Sequence, residues 1–298
     1  MRVCMPPDPN PRKPRFTPPP NSCDTHAHVF GPPEKFPFAP TRQYTPPAAP
    51  IEHYLNMLAV IGIDRGVVVQ PSAHGFDNTA TLDAIAKKGG RFRGIARVND
   101  TTTAEELKPL HEGGIRGVRF NLLDRPAGNI KLMVFDRVIE RLVEFGWSVD
   151  LHIDPKNLVE QEGRIRAIPV PVVFDHLARI NPADGLGQEA FQLLLDYLKD
   201  ERFWVKLTGV DKISRTDGRS DKGLFYTDVV PFARALIEAS PDRVIWGTDW
   251  PHSNIFVPGK TPNDGDLLDL LSEFAPDESV RHKILVDNPS RLYGFDQP

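Results

Sequence analysis

The sequence predicts an α/β fold, a single (β/α)8 TIM barrel, on three observations. Short apolar runs recur along the 298 residues, in the manner of parallel strands that are buried on both faces. Segments with apolar residues at helical spacing lie between those runs, and alternating strands and helices build a parallel sheet. The chain length fits one barrel, which routinely takes ~250 residues. An open, doubly wound sheet is the alternative that the same alternation allows.

Eight predicted strands account for this alternation. Each is a short apolar run, and several of them carry a histidine or an aspartate at or just beyond the last position. The carboxyl ends of barrel strands meet at one mouth, so these polar residues are expected to converge. The runs are 22–28, 66–69, 92–98, 117–120, 148–153, 172–174, 203–207 and 244–246.

Helical spacing of apolar residues predicts the segments between the strands. It is clearest over 132–143, where Gly146 follows as the expected C-terminal cap. The same spacing occurs over 191–198 and 230–237. Two short helices over 276–293 are predicted to end the chain.

Two N-terminal caps are predicted from side chains that can accept a backbone hydrogen bond. Asp77 is the expected cap of a helix over 79–86. Thr103 is the expected cap of the next helix, because Glu106 stands three residues later, in the spacing of a capping box.

Proline sets apart the beginning of the chain. Of the 30 prolines, half lie in the first fifty residues, and proline fixes φ and removes a hydrogen-bond donor. Residues 1–20 are therefore expected to form an extended arm, and residues 21–298 the barrel domain. The stretch 32–50 reads as a long first loop, in which Phe36 and Phe38 pack inward, and loops of this length are frequently functional.

Composition excludes several classes of partner. The formal net charge is −4 and no basic run is present, which argues against nucleic-acid binding. No segment reaches the ~20 apolar residues that cross a bilayer, so no membrane association is expected. Two cysteines and the lack of an apolar leader predict a cytoplasmic protein. A homo-oligomer in which the proline arm covers a neighbouring copy is compatible with the sequence.

The strand ends predict a metal centre. His26 and His28 alternate along the first strand, so their imidazoles project to one side. His152, His176 and Asp249 follow at the ends of the fifth, sixth and eighth runs. Neutral imidazoles with a carboxylate suit one Zn²⁺ ion that keeps a water in its open position. A carboxylate that touches both metal and water can accept the proton of that water.

This spacing resembles the amidohydrolase superfamily, which has His-x-His on strand one, histidines on strands five and six, and aspartate on strand eight. In its mononuclear, decarboxylase-like members the strand-five histidine is a ligand and the strand-six histidine acts on substrate. The resemblance therefore implies His26, His28, His152 and Asp249 as metal ligands, with Asp249 also as the base and His176 as the electrophile or proton carrier.

The flanking sequence resembles one group of that superfamily more closely, the 2-pyrone-4,6-dicarboxylate lactonases. This group also includes 4-sulfomuconolactone hydrolases and sugar-lactone isomerases. The matching stretches are DTHAHVFGP at 24–32, FPF at 36–38, QPSAHGFDN at 70–78, GVRFN at 117–121 and WGTDWPH at 246–252.

Two departures from that group bear on mechanism. The dicarboxylate lactonase works without a metal and has a tyrosine at the end of strand five, where this chain has His152. That change favours a metal-dependent enzyme. Where the lactonase has an arginine after strand seven, this chain has Lys212, a point charge that cannot fork around an acidic group.

Candidate substrate-binding residues come from chemistry and from the resemblance. Guanidinium groups commonly bind carboxylate or sulfonate, and hydroxyl or imidazole groups can hydrogen-bond the remaining oxygens. His252, three residues after Asp249, is expected to support the metal or touch substrate. The expected substrate-binding residues are Arg119, Arg125, Tyr44, Ser72, His74, Lys212 and His252.

Simpler interpretations stand beside these. His152 could bind substrate without a metal, as the tyrosine of the relative does. Arg119 could be a structural partner of Asp24 or Asp150, and Arg125 a solvated ion pair with Asp124.

The sequence thus predicts a metal-dependent hydrolase that opens a small anionic lactone in aromatic-compound catabolism, of the 4-sulfomuconolactone type. The alternatives are a metal-independent 2-pyrone-4,6-dicarboxylate lactonase, a sugar-acid lactone isomerase, and a decarboxylase on the same fold. A catalytically silent anion-binding protein is a further reading.

Overall fold

The computed structural model of the chain describes residues 2–123, 135–216 and 220–296. It confirms the barrel. Eight parallel strands form one sheet in which each strand is hydrogen-bonded to the next along the chain. Next to the mouth, the first strand meets the segment after the last one, where His28 N donates to Trp250 O at 2.7 Å and Asp249 N donates to His26 O at 2.8 Å.

The eight strands agree with the predicted runs to within a few residues at each end. The four histidines and the aspartate of the predicted metal centre lie within a strand or at most three residues beyond its end. The strands are β1 Cys23–Ala27, β2 Arg65–Val69, β3 Phe92–Ala96, β4 Ile115–Leu122, β5 Ser148–Ile153, β6 Val172–Phe174, β7 Phe203–Leu207 and β8 Val244–Trp246.

Helices cover the outside of the sheet, and the helical patterns over 191–198 and 230–237 are confirmed. The C-terminal pair predicted over 276–293 is present, joined by a π-helical turn at Lys283–Asp287. The α-helices are α1 Ile51–Ile61, α2 Thr79–Ala86, α3 Ala104–Glu112, α4 Asp136–Phe145, α5 Pro155–Glu160, α6 Glu162–Arg166, α7 Glu189–Tyr197, α8 Val210–Ile213, α9 Val230–Ala239, α10 Asp264–Phe274, α11 Glu278–His282 and α12 Asn288–Tyr293.

Two of the three helix-end predictions hold. Thr103 and Glu106 form a capping box at α3, and Gly146 adopts a left-handed conformation with φ 62° at the end of α4. The prediction for Asp77 is wrong in position, because Asn78 occupies the cap of α2. Asp77 Oδ1 still accepts a hydrogen bond from Thr79 N at 3.0 Å. The carboxylate therefore satisfies one of the backbone N–H groups that the first turn of α2 leaves unpaired, although Asp77 stands one residue before the cap.

Alternation along the strands decides which side chains enter the barrel. In β5, Ser148, Asp150 and His152 share the inner face, while the residues between them face the helices. In β7, Trp204 packs inside the barrel and Lys206 follows it on the same face. Asp150, His152 and Lys206 therefore lie inside the barrel, in the half nearer its mouth. At the other end Tyr293 and Phe295 join the inner apolar cluster.

Residues 2–5 pack against two loops of their own barrel. Cys4 N donates to Thr45 O at 2.9 Å, and Met5 N donates to Ile255 O at 2.8 Å. The boundary at residue 20 stays a prediction, as does any role of this segment in an oligomer. Across the three described ranges, no helix combines the length and the apolar character that crossing a membrane requires.

Candidate active site

A cavity of about 950 Å³ opens at the carboxyl ends of the strands. This is where the sequence places the candidate site, and it is the usual place for chemistry in a barrel. The predicted residues that line the cavity are His28, Tyr44, Ser72, Arg119, His152, His176, Lys212 and Asp249. His26 lies beneath them and is fully buried. Arg125 falls outside the residues that the structure describes.

The four predicted histidines, His26, His28, His152 and His176, contact one another through tilted or edge-on rings at the base of the cavity, and we call this group the imidazole layer. The ring of His26 lies 5.1 Å from that of His28 and 4.8 Å from that of His176, centroid to centroid. The ring of His152 lies 5.1 Å from that of His176. Asp249 completes the group, with Oδ1 3.6 Å from His26 Nε2 and 3.5 Å from His28 Nε2.

Backbone conformation aims His176 into this layer. Residues 176–179 all have positive φ, between 49° and 54°, which gives a left-handed turn directly after β6. Each such residue is unfavourable by roughly 1–2 kcal/mol, and strained turns of this kind cluster at functional sites. The neighbouring chain must leave room for the imidazole. A Cβ on Gly209 would lie 2.5 Å from His176 Nδ1, so only glycine fits there.

Below the imidazole layer, Asp150, Asp175 and Lys206 form what we call the ionic floor. All three are fully buried. Lys206 Nζ lies 2.5 Å from Asp150 Oδ2 and 3.2 Å from Asp175 Oδ1. Asp175 Oδ1 is also 3.3 Å from His26 Nδ1. A carboxylate that accepts from one ring nitrogen fixes the tautomer and leaves the other nitrogen free as a ligand, here His26 Nε2.

Burial decides the protonation of the imidazole layer. It lowers the pKa of His28 to about 3 and holds the pKa values of His26, His152 and His176 well below the ordinary value. These rings are therefore neutral at pH 7. Neutral imidazoles bind a metal without first releasing a proton.

Burial and neighbouring charges shift the pKa values of the ionic floor in opposite directions. Burial alone would raise the pKa of Asp175, but Lys206, His26 and Arg119 hold it well below its usual range. Burial raises the pKa of Asp150 to about 6 in spite of Lys206. Burial also works against the Lys206 ammonium, yet its two carboxylate neighbours keep its pKa above the ordinary value. The floor therefore carries a cation and at least one anion at neutral pH.

Arg119 connects the floor to the cavity. Its Nε donates to Asp175 Oδ2 at 2.7 Å, and its side chain is 9% exposed, at the cavity wall. The alternative reading, in which Arg119 is a structural partner of Asp24 or Asp150, names the wrong carboxylate, since Arg119 pairs with Asp175. Asp24 instead accepts from Thr248 N at 2.9 Å and from Tyr54 Oη at 3.0 Å.

Two further predicted residues lie at the cavity edge. Lys212 Nζ contacts Asp249 Oδ2, and burial lowers the pKa of Lys212 to about 8. Tyr44 lies with its hydroxyl beside Ser72, and burial raises the pKa of the phenol. Both side chains reach the cavity, as a substrate-binding role requires.

The remaining two predicted residues lie outside the cavity lining. His74 Nδ1 is 3.2 Å from Pro37 O, so this ring ties the loop after β2 to the loop after β1. His252 is fully buried, with Nε2 3.1 Å from Asp264 Oδ1 at the start of α10. We therefore assign both a supporting position in the described structure rather than a direct place in the cavity.

Three polar residues of the site were missed from the sequence, namely Asp175, Lys206 and Arg179. Arg179 lines the cavity three residues after His176. A visible signal existed for Lys206, because it is the one charged residue in the apolar run FWVKL of β7. Asp175 directly precedes a predicted site histidine, which was a weaker signal.

A metal ion fits the residues that are present. Several buried polar atoms of these side chains have no hydrogen-bond partner among the described residues, among them His26 Nε2, Asp249 Oδ1, His176 Nδ1 and both ring nitrogens of His152. Buried polar atoms are normally paired, so a cluster of unpaired ligand atoms indicates a missing partner. Among the described residues, His26, His176 and Asp249 bring ligand atoms within 4.8 Å of one another.

Known proteins resemble this chain in sequence and in fold. The family profile described as Amidohydrolase matches residues 23–295. The chain is 45% identical over 281 residues to the 4-sulfomuconolactone hydrolase of Hydrogenophaga intermedia, which covers 94% of this chain and 91% of the relative. It is 40% identical over 287 residues to the 2-pyrone-4,6-dicarboxylate hydrolase of Comamonas testosteroni, which covers 95% and 93%. A crystal structure from Agrobacterium tumefaciens superimposes with a TM-score of 0.82 at 30% identity and covers 96% of this chain and 100% of its own.

Proposed function

Because the chain belongs to the amidohydrolase family, we propose that it is a metal-dependent hydrolase that opens a small anionic lactone of the 4-sulfomuconolactone type, in aromatic-compound catabolism. One observation carries the proposal. His26 Nε2 and Asp249 Oδ1 lie 3.6 Å apart and are buried without a hydrogen-bond partner among the described residues, at the base of a cavity that Arg119 and Lys212 line.

The metal proposal rests on two overlapping sets of ligands. The resemblance implies His26, His28, His152 and Asp249, whereas the tightest ligand group in the described structure contains His26, His176 and Asp249. His26 and Asp249 belong to both sets, and we propose them as the common ligands of one Zn²⁺ ion. When bound, zinc would supply Lewis acidity and lower the pKa of water to roughly 7.

The side chains divide the rest of the reaction among them. Asp249 accepts a proton from the attacking water, whose oxygen forms a bond to the lactone carbonyl carbon. His176 donates a hydrogen bond to the carbonyl oxygen and stabilises its developing negative charge. The ring C–O bond then breaks, and the proton held by Asp249 passes to the leaving oxygen. The product is an open-chain acid.

Cations at the cavity wall would hold the acidic substituents of the substrate. Arg119 is fixed by Asp175, so its guanidinium is oriented before substrate arrives. Lys212, which contacts Asp249 Oδ2, adds a compact positive charge. Arg125 is expected to add a second guanidinium. The favoured substrate is sulfonated because two relatives at 45% and 44% identity are named 4-sulfomuconolactone hydrolases.

The second candidate is a 2-pyrone-4,6-dicarboxylate lactonase. The relative from Comamonas testosteroni at 40% identity favours it, and a carboxylate suits the same cations. A metal-independent reaction would leave Asp249 as the base and the imidazole layer as hydrogen-bond donors to the carbonyl. The two candidates therefore differ in their need for zinc as well as in substrate.

One experiment tests both. The purified protein is assayed with sulfonated and carboxylated lactones after zinc loading and after chelation, with metal analysis of each preparation and NMR of the products. We expect one zinc per chain, an open-chain product and loss of turnover on chelation. Full turnover without metal would overturn the zinc part and favour the pyrone reading. A product of unchanged mass would indicate an isomerase, and release of CO₂ a decarboxylase.

His152→Ala and His176→Ala, measured in the same assay, decide between the two ligand sets. The variant that loses the ligand is expected to bind less zinc. The variant that loses the hydrogen-bond donor is expected to keep zinc and lose turnover.

A further inference from the structure

We propose that residues 2–16 form a wall of the substrate cavity and hold the Tyr44 loop and the loop after β8 in their binding positions. These residues are most of the predicted proline-rich segment, and from here on the arm means residues 2–16. The inference rests on the proposed function for the nature of the substrate, a small anionic lactone. It assigns the arm a positioning role in substrate binding and none in the chemical step.

Backbone hydrogen bonds join the arm to two loops at once. Thr45 N donates to Arg2 O and Cys4 N donates to Thr45 O, both at 2.9 Å, in a short parallel bridge. Met5 N then donates to Ile255 O at 2.8 Å. Tyr44, which precedes Thr45, and Ile255 both line the cavity. The arm therefore connects the loop after β1 to the loop after β8 across the cavity edge.

A second anchor lies further along the arm, on α10. Arg12 Nη2 lies 2.7 Å from Asp266 Oδ1 and also contacts Asp269. Arg15 N donates to Asp269 Oδ1 at 2.5 Å. Asp266 and Asp269 are both buried, so each would lose its charge partner if the arm moved away. Arg12 and Asp266 themselves line the cavity.

The contact between arm and helix is close enough to require a glycine. A Cβ on Gly265 would lie 1.9 Å from Arg12 O, which is backbone and cannot rotate away. Gly265 is the second residue of α10, a position where alanine is the better helix former. Its absence of a side chain is thus explained by the arm rather than by the helix.

Proline makes the arm suitable for this role. Five prolines lie between Pro6 and Pro14. Because each fixes its own φ, the free arm samples few conformations and loses little entropy when it docks. An arm that is docked in this way restricts the loops that hold the substrate. His26 lies on β1, and Asp249 N donates to His26 O at 2.8 Å, so both are held by the barrel rather than by the arm. Displacement is therefore expected to weaken substrate binding and to spare the chemical step.

The test uses Gly265→Ala in the full chain, with Gly163→Ala as a matched control. Gly163 lies in α6, where an added Cβ would meet nothing within 4 Å. A second variant lacks residues 2–11. For each protein we would measure zinc content, amide hydrogen exchange at Thr45, and the steady-state constants for the lactone that the wild type turns over.

In Gly265→Ala we expect exchange at Thr45 to be about tenfold faster. We expect KM to rise about fivefold, with kcat within about twofold of wild type and zinc content unchanged. The truncated protein should show the same pattern more strongly. If both variants match Gly163→Ala in exchange and in KM, or if exchange rises while KM stays constant, the proposal is wrong. If the wild type opens no lactone, the proposed function fails, and exchange at Thr45 still decides whether the arm holds the Tyr44 loop.

Discussion

The ionic floor and the imidazole layer lie in contact, yet they differ in how their polar atoms are satisfied. In the floor, Lys206 is shared between Asp150 and Asp175 at 2.5 and 3.2 Å. In the layer, His26 Nε2 and both nitrogens of His152 have no partner in the described structure. The difference indicates that the floor is complete as a folded structure, whereas the layer is built to bind something else.

This contrast predicts that the two regions fail in different ways. Substitutions in the layer should abolish activity and leave the fold intact, because the atoms of the layer that face the cavity have few hydrogen-bond partners in the described structure to lose. Substitutions in the floor should reduce stability, because a buried charge is left alone. The variants below test the contrast, from the largest expected effect to the smallest.

The largest effect is expected for Asp249→Asn, beside the layer. An amide cannot accept the proton of the attacking water, and a positioned base contributes roughly 10²–10⁴ in rate. We expect kcat/KM to fall by about 10³ and the protein to remain folded, because the amide oxygen still accepts a hydrogen bond from Lys212 Nζ. Asp83→Asn, at an exposed ion pair with Lys35, is the control that should change neither the activity nor the fold. An Asp249→Asn protein that keeps more than a tenth of the activity would exclude this residue as the base.

Lys206→Met tests the floor. The change removes the cation between two buried carboxylates, and breaking a buried ion pair in this way costs about 3–5 kcal/mol. We expect a loss of that size in the free energy of unfolding, measured with urea. Lys199→Met is the control, since Lys199 pairs with Asp196 at the surface, where an ion pair contributes less than about 1 kcal/mol. Equal losses in the two variants would remove the distinction between the floor and an ordinary ion pair.

Asp175→Asn tests whether the floor serves the layer. Asp175 Oδ1 stands 3.3 Å from His26 Nδ1, where it orients the ring. Losing such a partner typically weakens metal binding by about 10–100-fold. We expect that loss in zinc affinity, measured by competition with a chelating dye. Asp196→Asn, at the surface, should leave zinc affinity unchanged. Unchanged affinity in Asp175→Asn would mean that the floor is structural alone.

The barrel and the residues of the imidazole layer could be predicted from the sequence, because each signal lies within a single strand. A histidine or aspartate at the end of an apolar run is visible in one strand at a time, so His26, His152, His176 and Asp249 could be found without any pairing information. The barrel closure that brings them together follows from the alternation of strands and helices.

The floor could not be predicted in the same way, because it depends on register between strands. The structural partners considered for Arg119 were Asp24 and Asp150, but the packing of β4, β5 and β6 places Asp175 at its Nε instead. Lys206 is visible in the sequence as a charge within an apolar strand. Its two partners come from β5 and from the turn after β6, more than thirty residues earlier in each case. Only the assembled sheet identifies them.

Substitution of Lys212 by arginine has the smallest predicted effect. It should change the preference between carboxylated and sulfonated lactones rather than abolish activity. Lys212 contacts Asp249 at the edge of the layer and offers a point charge to the substrate. Arginine would offer a planar fork that matches a carboxylate with two parallel hydrogen bonds. In Lys212→Arg we expect the ratio of kcat/KM for a carboxylated lactone over its sulfonated counterpart to rise about tenfold, since one bidentate contact changes discrimination by roughly 1–2 kcal/mol. Lys212→Met should lower both values together, because it removes the charge without adding a fork. If the ratio is the same in all three proteins, Lys212 acts on Asp249 alone and the substrate's acidic group is held elsewhere.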